Sequence, residues 1–145
     1  MTILVAIDFS VVSASVINAL PDIAKIDDVI HILYVGEPNP EFVGFDVGPA
    51  SVNQQIEQEF QQQKSKMSQY AQTLEQQGYS VKITQVNGVI ANEIIAYAQK
   101  ITAKMIILGR HGHSAIYNIL VGSVAAAVLK HSPLPVVLVP SKVPQ

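Results

Sequence analysis

The sequence lacks several features that whole classes of function require. It contains no cysteine, which excludes disulfide bonds, thiolate metal sites and cysteine nucleophiles. Only 14% of its residues are charged and its net charge is -2, so no broad basic surface is available to nucleic acid or to an anionic membrane. No apolar run approaches the roughly 20 residues of a membrane span. The N-terminal segment lacks the basic stretch of an export signal, so we expect a soluble cytoplasmic protein.

The sequence contains a large apolar fraction, and its strand-like segments alternate with helix-like segments. Apolar residues make up 49% of its 145 residues, so we expect one domain, spanning residues 1–145, with a substantial core. Alternation of strand-like and helix-like segments predicts a parallel sheet with right-handed crossovers. The predicted fold class is therefore α/β: a five-stranded, doubly wound, Rossmann-like sandwich with strand order 3-2-1-4-5 and helices on both faces. Strands are predicted over 3–7, 29–35, 79–86, 105–108 and 136–139, and helices over 13–25, 51–77, 91–101 and 122–131.

Several details of these segments can be compared with a structure. Pro21 is expected to kink or shorten the first helix. The third strand is predicted to lie at an edge of the sheet, with Lys82 and Gln85 exposed. Residues 36–50 are rich in glycine and proline and are predicted to form a long loop, either a flap or a segment that binds a partner. Helical spacing in the long second helix predicts that these residues face the sheet: Val52, Ile56, Phe60, Met67, Tyr70 or Ala71, and Leu74.

The most informative pattern lies near the C-terminal end of the chain. The sequence G-R-H-G at residues 109–112 is separated by nine residues from Gly122-Ser123, which gives the spacing G-x-x-G-x9-G-S. A predicted strand precedes this pattern and a predicted helix follows it. Glycines let the backbone approach an anion closely, and the start of a helix attracts one, so the pattern predicts a phosphate site. Arg110, the only arginine, lies inside it and is compatible with either a phosphate partner or a solvated charge.

The predicted topology brings a second feature to the same place. In doubly wound sheets, ligands bind at the carboxyl ends of the strands, where the strand order reverses. That reversal is predicted between the first strand, which ends at Asp8, and the fourth, which ends at Leu108-Gly109. Neither the Walker pattern nor the dinucleotide fingerprint is present, because no glycine follows the first strand and no Gly-Lys-Ser/Thr occurs. The sequence thus predicts a crevice with a different loop chemistry.

Each candidate residue also has a purely structural interpretation. The glycines are compatible with simple turns, Asp8 with a helix cap or with an acceptor for the turn at Ser10, and Ser123 with a helix N-cap. His111 and His113 resemble metal ligands, but a hydrogen-bonding role is favoured because no acid or third histidine lies nearby. The predicted site has no evident nucleophile–base pair, and apart from Asp8 it has no carboxylate near the phosphates. The sequence therefore favours binding over catalysis and leaves slow hydrolysis open.

Taken together, these motifs resemble those of the universal stress proteins, in the branch that binds ATP. The glycine spacing resembles the signature of that branch. Residues 3–10 resemble the family's opening strand and aspartate turn, residues 33–35 the end of its second strand, and residues 132–139 its final strand. The similarity covers almost the whole chain, with residues 36–50 as the part that does not align. Arg110 differs from the small polar residue that commonly follows the first glycine in relatives.

The resemblance implies a regulatory module that binds ATP, with Mg²⁺ or Mn²⁺ on the phosphates and no confident metal ligand among its side chains. Ala6, Ile7 and Asp8 would lie along the adenine and ribose, and Val35 would contact adenine through its backbone. Main-chain amides and the Ser123 hydroxyl would hold the phosphates. The residues predicted to bind the nucleotide are Ala6, Ile7, Asp8, Val35, Leu108, Gly109, Arg110, Gly112, Gly122, Ser123 and Val124.

The resemblance also implies a homodimer, formed by antiparallel pairing of the last strand through Val136, Val137, Leu138 and Val139. Two other functions stay open at this point. One is a nucleotide-free dimerising interaction module on the same fold, and the other is a slow ATPase. A protein partner is compatible with each of them, but the sequence does not identify one.

Overall fold

The chain folds into parallel strands that alternate with helices, as described by a computed structural model over residues 1–37, 50–111 and 121–141. The side chains of residues 50–53 are outside this description. The sheet has five strands in the order β3-β2-β1-β4-β5, and every neighbouring pair is parallel. This confirms the predicted doubly wound α/β architecture. The elements are β1 Thr2–Ile7, α1 Val11–Ile23, β2 Val29–Gly36, α2 Ala50–Gln76, β3 Ser80–Asn87, α3 Ile90–Lys100, β4 Met105–Gly109, α4 Ser123–His131 and β5 Val136–Val139.

The central strand β1 is buried on both faces, which explains its unbroken apolar sequence. Ile3 and Val5 pack into a core with residues of α1 and α2. Leu4 and Ala6 pack into a second core with residues of α3 and α4, on the opposite face. A strand covered by helices on both sides needs apolar side chains at every position rather than at alternate ones. The two cores therefore hold β1 rigidly at the centre of the sheet.

The strand order places a reversal beside β1. From β1 the chain proceeds outward to β2 and β3, then crosses back to β4 on the other side of β1 and ends with β5. The connections leaving the carboxyl ends of β1 and β4 diverge to opposite faces of the sheet, so a crevice opens between them. This is the position predicted from the sequence for a ligand site.

Helix α2 is longer than the sheet it covers, and part of it is exposed where burial was predicted. Its 27 residues span about 40 Å, whereas the eight residues of β3 span about 26 Å. Met67, Ala71 and Leu74 are buried as predicted, but Ile56 and Phe60 are 45% and 44% exposed, which corrects their predicted position against the sheet. Within the described residues, no helix has both the length and the apolarity to cross a membrane.

The other differences from the sequence predictions occur at element ends and edges. Helix α1 begins at Val11 because Ser10 is extended and serves as the N-cap, and it ends at Ile23, two residues before the predicted end. Pro21 lies inside its last turn, which is consistent with the predicted shortening. The predicted capping and inward position of residues 51–53, and nearly all of the predicted loop 36–50, lie outside the described residues.

Strand β3 lies at an edge of the sheet, as predicted, but α2 covers part of it. Lys82 is exposed, in agreement with the prediction. Gln85 is half-buried, which corrects its predicted exposure. Its side-chain amide donates to the Phe60 carbonyl oxygen and to Gln63 Oε1, both at 3.4 Å, because α2 passes over this end of the strand.

Candidate functional site

A cavity of about 490 Å³ opens at the carboxyl ends of β1, β2 and β4. Its volume is within the range of small-molecule sites. Gly112 lies outside the described residues. All the other residues predicted to form the site line this cavity: Ala6, Ile7, Asp8, Val35, Leu108, Gly109, Arg110, Gly122, Ser123 and Val124. The fold thus brings four distant segments of the sequence to one place.

The connection from β1 to α1 is a tight turn organised by Asp8. Asp8 Oδ1 accepts hydrogen bonds from the Ser10 amide and the Ser13 hydroxyl, each at 3.0 Å. The Asp8 amide donates to Ser13 Oγ, also at 3.0 Å. Between them, Phe9 adopts φ 63°, a left-handed conformation that is uncommon outside glycine and is held here by these bonds. Asp8 therefore has the predicted acceptor role toward the Ser10 turn, while the N-cap position itself belongs to Ser10.

Three helices, α1, α3 and α4, begin at the cavity, and they differ in how their N-termini are compensated. The first amides of a helix have no acceptor within it, and the helix dipole adds partial positive charge there. At the start of α1, the carboxylate of Asp8 lies against Ser10 and Ser13. At the start of α4, the structure has neither a side-chain cap nor an acidic residue in the first turn. Helix α3 has Glu93 in its first turn. Among the described residues, the helix N-terminus at the cavity that lacks a nearby carboxylate is therefore that of α4.

The start of α4 is fixed by hydrogen bonds between backbone groups. The Gly122 amide donates to the Arg110 carbonyl oxygen at 2.7 Å, and the Gly122 carbonyl oxygen accepts from the Ala126 amide at 2.9 Å. Gly122 is the N-cap, so the alternative role of Ser123 as N-cap is wrong. The expectation that the Gly122 amide is available to a phosphate is also corrected, because Arg110 occupies it. The amides of Ser123, Val124 and Ala125 remain without an acceptor in the helix.

Gly109 is explained by the packing of β4 against α1. A Cβ atom added at this position would overlap Val12 Cγ1 and would lie 3.0 Å from the His111 carbonyl oxygen. Its φ is not in the left-handed region, so conformational freedom is not what requires a glycine here. The absence of a side chain lets the end of β4 pass close to the first turn of α1. Gly109 is therefore a structural requirement of the crevice, apart from any ligand.

Some residues of the lining were not identified from the sequence. Glu37 directly follows β2, and its place at the carboxyl end of a strand next to β1 is the signal that could have found it. It adds a second carboxylate to the lining, on the β2 side of Asp8. His111 lies inside the glycine motif. Nothing in the local sequence marks the others, which reach the cavity from helices and from strand ends. The additional lining residues are Val12, Ser13, Val16, Tyr34, Glu37, Ile90, Ile94, His111 and Ala125.

Tyr34 separates the cavity from α2. Its hydroxyl oxygen accepts a hydrogen bond from Gln63 Nε2 at 3.1 Å. Its ring packs on that of Phe9, with the centroids 4.7 Å apart. Burial raises the pKa of the Tyr34 hydroxyl. The hydrogen bond with Gln63 offsets part of this effect, and the nearby carboxylates of Glu59 and Asp8 add to it, so the pKa stays above its ordinary value. Tyr34 therefore presents a neutral ring to the cavity at physiological pH.

The charged residues of the lining follow the order of the strands. Glu37 follows β2, Asp8 follows β1 and Arg110 follows β4. Neighbouring strands are about 4.8 Å apart, so the charge changes from negative to positive over about 10 Å. The positive end of α4 lies on the Arg110 side. An anionic group in this cavity is therefore stabilised at the Arg110 and α4 end and repelled at the other.

The described side chains of the cavity do not form a metal centre. Across the described ranges, no group of three or more histidine, aspartate or glutamate residues could hold a metal ion. Asp8 and Glu37 come from different strands, and Asp8 Oδ1 is already used in its turn. This donor set does not fit a divalent ion held by the protein alone.

Comparison with known proteins agrees with the fold. Residues 1–140 match the model of the universal stress protein family. The universal stress protein MJ0531 of Methanocaldococcus jannaschii is 32% identical over 143 residues, covering 94% of this chain and 80% of that protein. The solved structure of MJ0577, from the same organism, superposes with a TM-score of 0.85 at 27% identity, covering 97% of this chain and 96% of that chain.

A more distant structure supplies a ligand-bound relative of the same fold. A universal stress protein family protein of Arabidopsis thaliana, solved with AMP bound, superposes with a TM-score of 0.71 at 15% identity, covering 98% of this chain and 92% of that chain. At this identity the likeness concerns the fold alone. The family match extends over residues 1–140, nearly the full length of the chain. This chain therefore belongs to the universal stress protein family.

Proposed function

We propose that this protein is a regulatory module that binds ATP in the cavity between β1 and β4. One observation carries the proposal: the start of α4, which has no side-chain cap, meets the ends of β1 and β4 in a single cavity of about 490 Å³. An anion is stabilised at such a helix start, and the cavity has room for more than a phosphate. The AMP-bound relative supports an adenine nucleotide as the ligand.

The base is proposed to lie at the end of β2. The ladder between β1 and β2 ends where Ile7 pairs with Tyr34, while β2 continues to Gly36. The Val35 carbonyl oxygen, which faces the β1 side, lies beyond this last pair and is the main-chain group proposed to meet the base. Ile90 and Ile94 of α3 add an apolar wall on this side. Such a combination suits a flat heterocycle whose edge forms hydrogen bonds with main-chain groups.

The sugar and the phosphates are proposed to follow the charge order of the cavity. The ribose would lie between Asp8 and the end of β4 at Leu108-Gly109, above Ala6 and Ile7. The phosphates would lie at the start of α4, where the amides of Ser123 and Val124 and the Ser123 hydroxyl are available. Mg²⁺ or Mn²⁺, when present, would be carried by the phosphates, because the described side chains do not form a metal site.

Binding is proposed in preference to catalysis. The carboxylate of Asp8 is engaged in holding its turn, and Glu37 follows β2, on the far side of β1 from α4. Neither carboxylate is thus placed at the phosphate end of the cavity. General-base attack on a terminal phosphate needs a group within hydrogen-bond distance of the attacking water.

Isothermal titration with ATP and GTP tests the proposed function. We expect ATP to bind with a Kd below about 1 mM, and GTP to bind at least about 10-fold more weakly, because guanine reverses the donors and acceptors at the base edge. Mass spectrometry of the purified protein provides a second, independent test, because it detects an adenine nucleotide that co-purifies with the protein. Absence of ATP binding at millimolar concentration, or equal affinity for GTP, would contradict the proposal.

A homodimer formed through β5 is proposed as the assembled state. This strand pairs with β4 on one side and lies at an edge of the sheet. Residues Val136, Val137 and Leu138 are only half-buried. An apolar edge strand with open backbone groups readily pairs with a second copy. Sedimentation analysis should give twice the chain mass of 15.7 kDa, and a monomer at all concentrations would refute this part of the proposal.

A further inference from the structure

We propose that Arg110 makes this site select nucleotides by the number of their phosphates. Its guanidinium would contact the second and third phosphates of ATP, so that ATP binds more tightly than AMP. This inference rests on the proposed function, because it assigns a role within the same cavity. Arg110 would determine specificity, and it stands where a small polar residue commonly follows the first glycine in relatives.

The backbone of Arg110 is held between two elements of the site. Its amide donates to the Val139 carbonyl oxygen at 2.9 Å, and its carbonyl oxygen accepts from the Gly122 amide at 2.7 Å. The first bond continues the pairing of β4 with β5, and the second fixes the start of α4. Arg110 is therefore anchored beside the helix terminus that we propose receives the phosphates, and it lines the cavity.

The charge of Arg110 is not neutralised by the described part of the protein. Its Nε atom is buried and has no hydrogen-bond partner there. The ion pair found in those residues joins the Met1 amino group to Asp28 and does not involve Arg110. Burying a charged donor without an acceptor is unfavourable, so the arrangement is stabilised by a ligand that brings acceptors. Phosphate oxygens match the planar fork of a guanidinium.

Arg110 is also the fixed cation of the described lining, which contains no lysine. The carboxylates of Asp8 and Glu37, which also line the cavity, are negatively charged when ionised. The amides at the start of α4 are sufficient to hold one phosphate, as in many helix-terminus sites. Each further phosphate adds negative charge that only the Arg110 end of the cavity stabilises. The increase in affinity from AMP to ATP is therefore expected to depend on this side chain.

The test is a calorimetric titration of adenosine, AMP, ADP and ATP in the presence of EDTA, so that no divalent ion contributes. For the unaltered protein we expect ATP to bind at least about 10-fold more tightly than AMP. Arg110→Gln should weaken ATP binding about 10- to 100-fold and leave AMP binding within about 3-fold. Arg110→Lys should fall between, since it keeps the charge but loses the fork.

The matched control is Lys104→Gln. This substitution removes the same charge from an exposed residue that precedes β4, at the amino ends of the strands and therefore away from the cavity. It should leave all four affinities unchanged, and thermal unfolding should show that each variant is folded. If Arg110→Gln keeps the normal ratio of ATP to AMP affinity, Arg110 is only a solvated charge and this inference fails while the proposed function stands. If the unaltered protein binds none of the nucleotides, both fail.

Discussion

Replacing Gly122 with valine is expected to abolish ATP binding while the protein remains folded. Gly122 has φ -68° and ψ 164°, an extended conformation that β-branched residues readily adopt. Its hydrogen bonds to Arg110 and Ala126 involve backbone atoms and survive the substitution. The isopropyl group, however, would stand in the cavity beside the amides of Ser123 and Val124. We expect ATP affinity to fall by more than about 100-fold in calorimetric titration.

The loss of stability in this variant should be small, because valine is only a poorer N-cap than glycine. That difference amounts to at most about 2 kcal/mol in the free energy of unfolding. The matched control is Ala126→Val, which adds the same type of side chain at an exposed position of α4 outside the cavity lining. ATP affinity should be unchanged in this control. A Gly122→Val protein that still binds ATP within about 3-fold of normal would rule out phosphate binding at the start of α4.

Replacing Gly109 with alanine is expected to destabilise the protein by about 1–3 kcal/mol, the usual cost of overpacking. The new Cβ atom would overlap Val12 Cγ1 and approach Val12 Cβ to 3.3 Å. Val12 is only 5% exposed and belongs to the core beneath α1, so it cannot move aside easily. Chemical denaturation of the purified variant, read as the free energy of unfolding, measures the effect.

A second substitution isolates the contact between positions 109 and 12. In the double variant Gly109→Ala with Val12→Ala, the atom that the new Cβ overlaps is absent. The double variant should therefore lose less stability than the sum of the two single variants, with a favourable coupling of at least about 1 kcal/mol. Strictly additive effects, or a neutral Gly109→Ala variant, would show that the approach of β4 to α1 is not what requires this glycine.

The arrangement of the strands could be predicted because the pattern of apolar residues in a strand shows which of its faces are buried. A segment such as Thr2–Ile7 is buried on both faces, so it is apolar throughout, and this marks a central parallel strand. Alternation with helices then leaves few topologies. The extent of α2 beyond the sheet could not be predicted in this way. Ile56 and Phe60 have helical spacing, but their exposure depends on the length of a sheet formed by other segments.

Most of the candidate site was predictable at strand ends and at the glycine motif, including Gly122, Ser123 and Val124 at the start of α4. Asp8 and Gly109 are marked by their positions directly after apolar strands. Ile90 and Ile94 are ordinary apolar residues of a helix, and only the assembled fold shows that they face the cavity. Spacing also could not assign different roles to the motif glycines. Gly109 is required by packing against α1, and Gly122 is the N-cap of α4.

The central claim is that ATP binds with its phosphates at the start of α4, and amide chemical shifts test it most directly. In a titration of the isotope-labelled protein with ATP, we predict that the largest changes occur at the amides of Ser123, Val124 and Ala125. Smaller changes should occur in the Asp8 turn and at Val35. If saturating ATP leaves the chemical shifts of the α4 amides unchanged, or if the largest changes lie at the amino ends of the strands, the claim is contradicted.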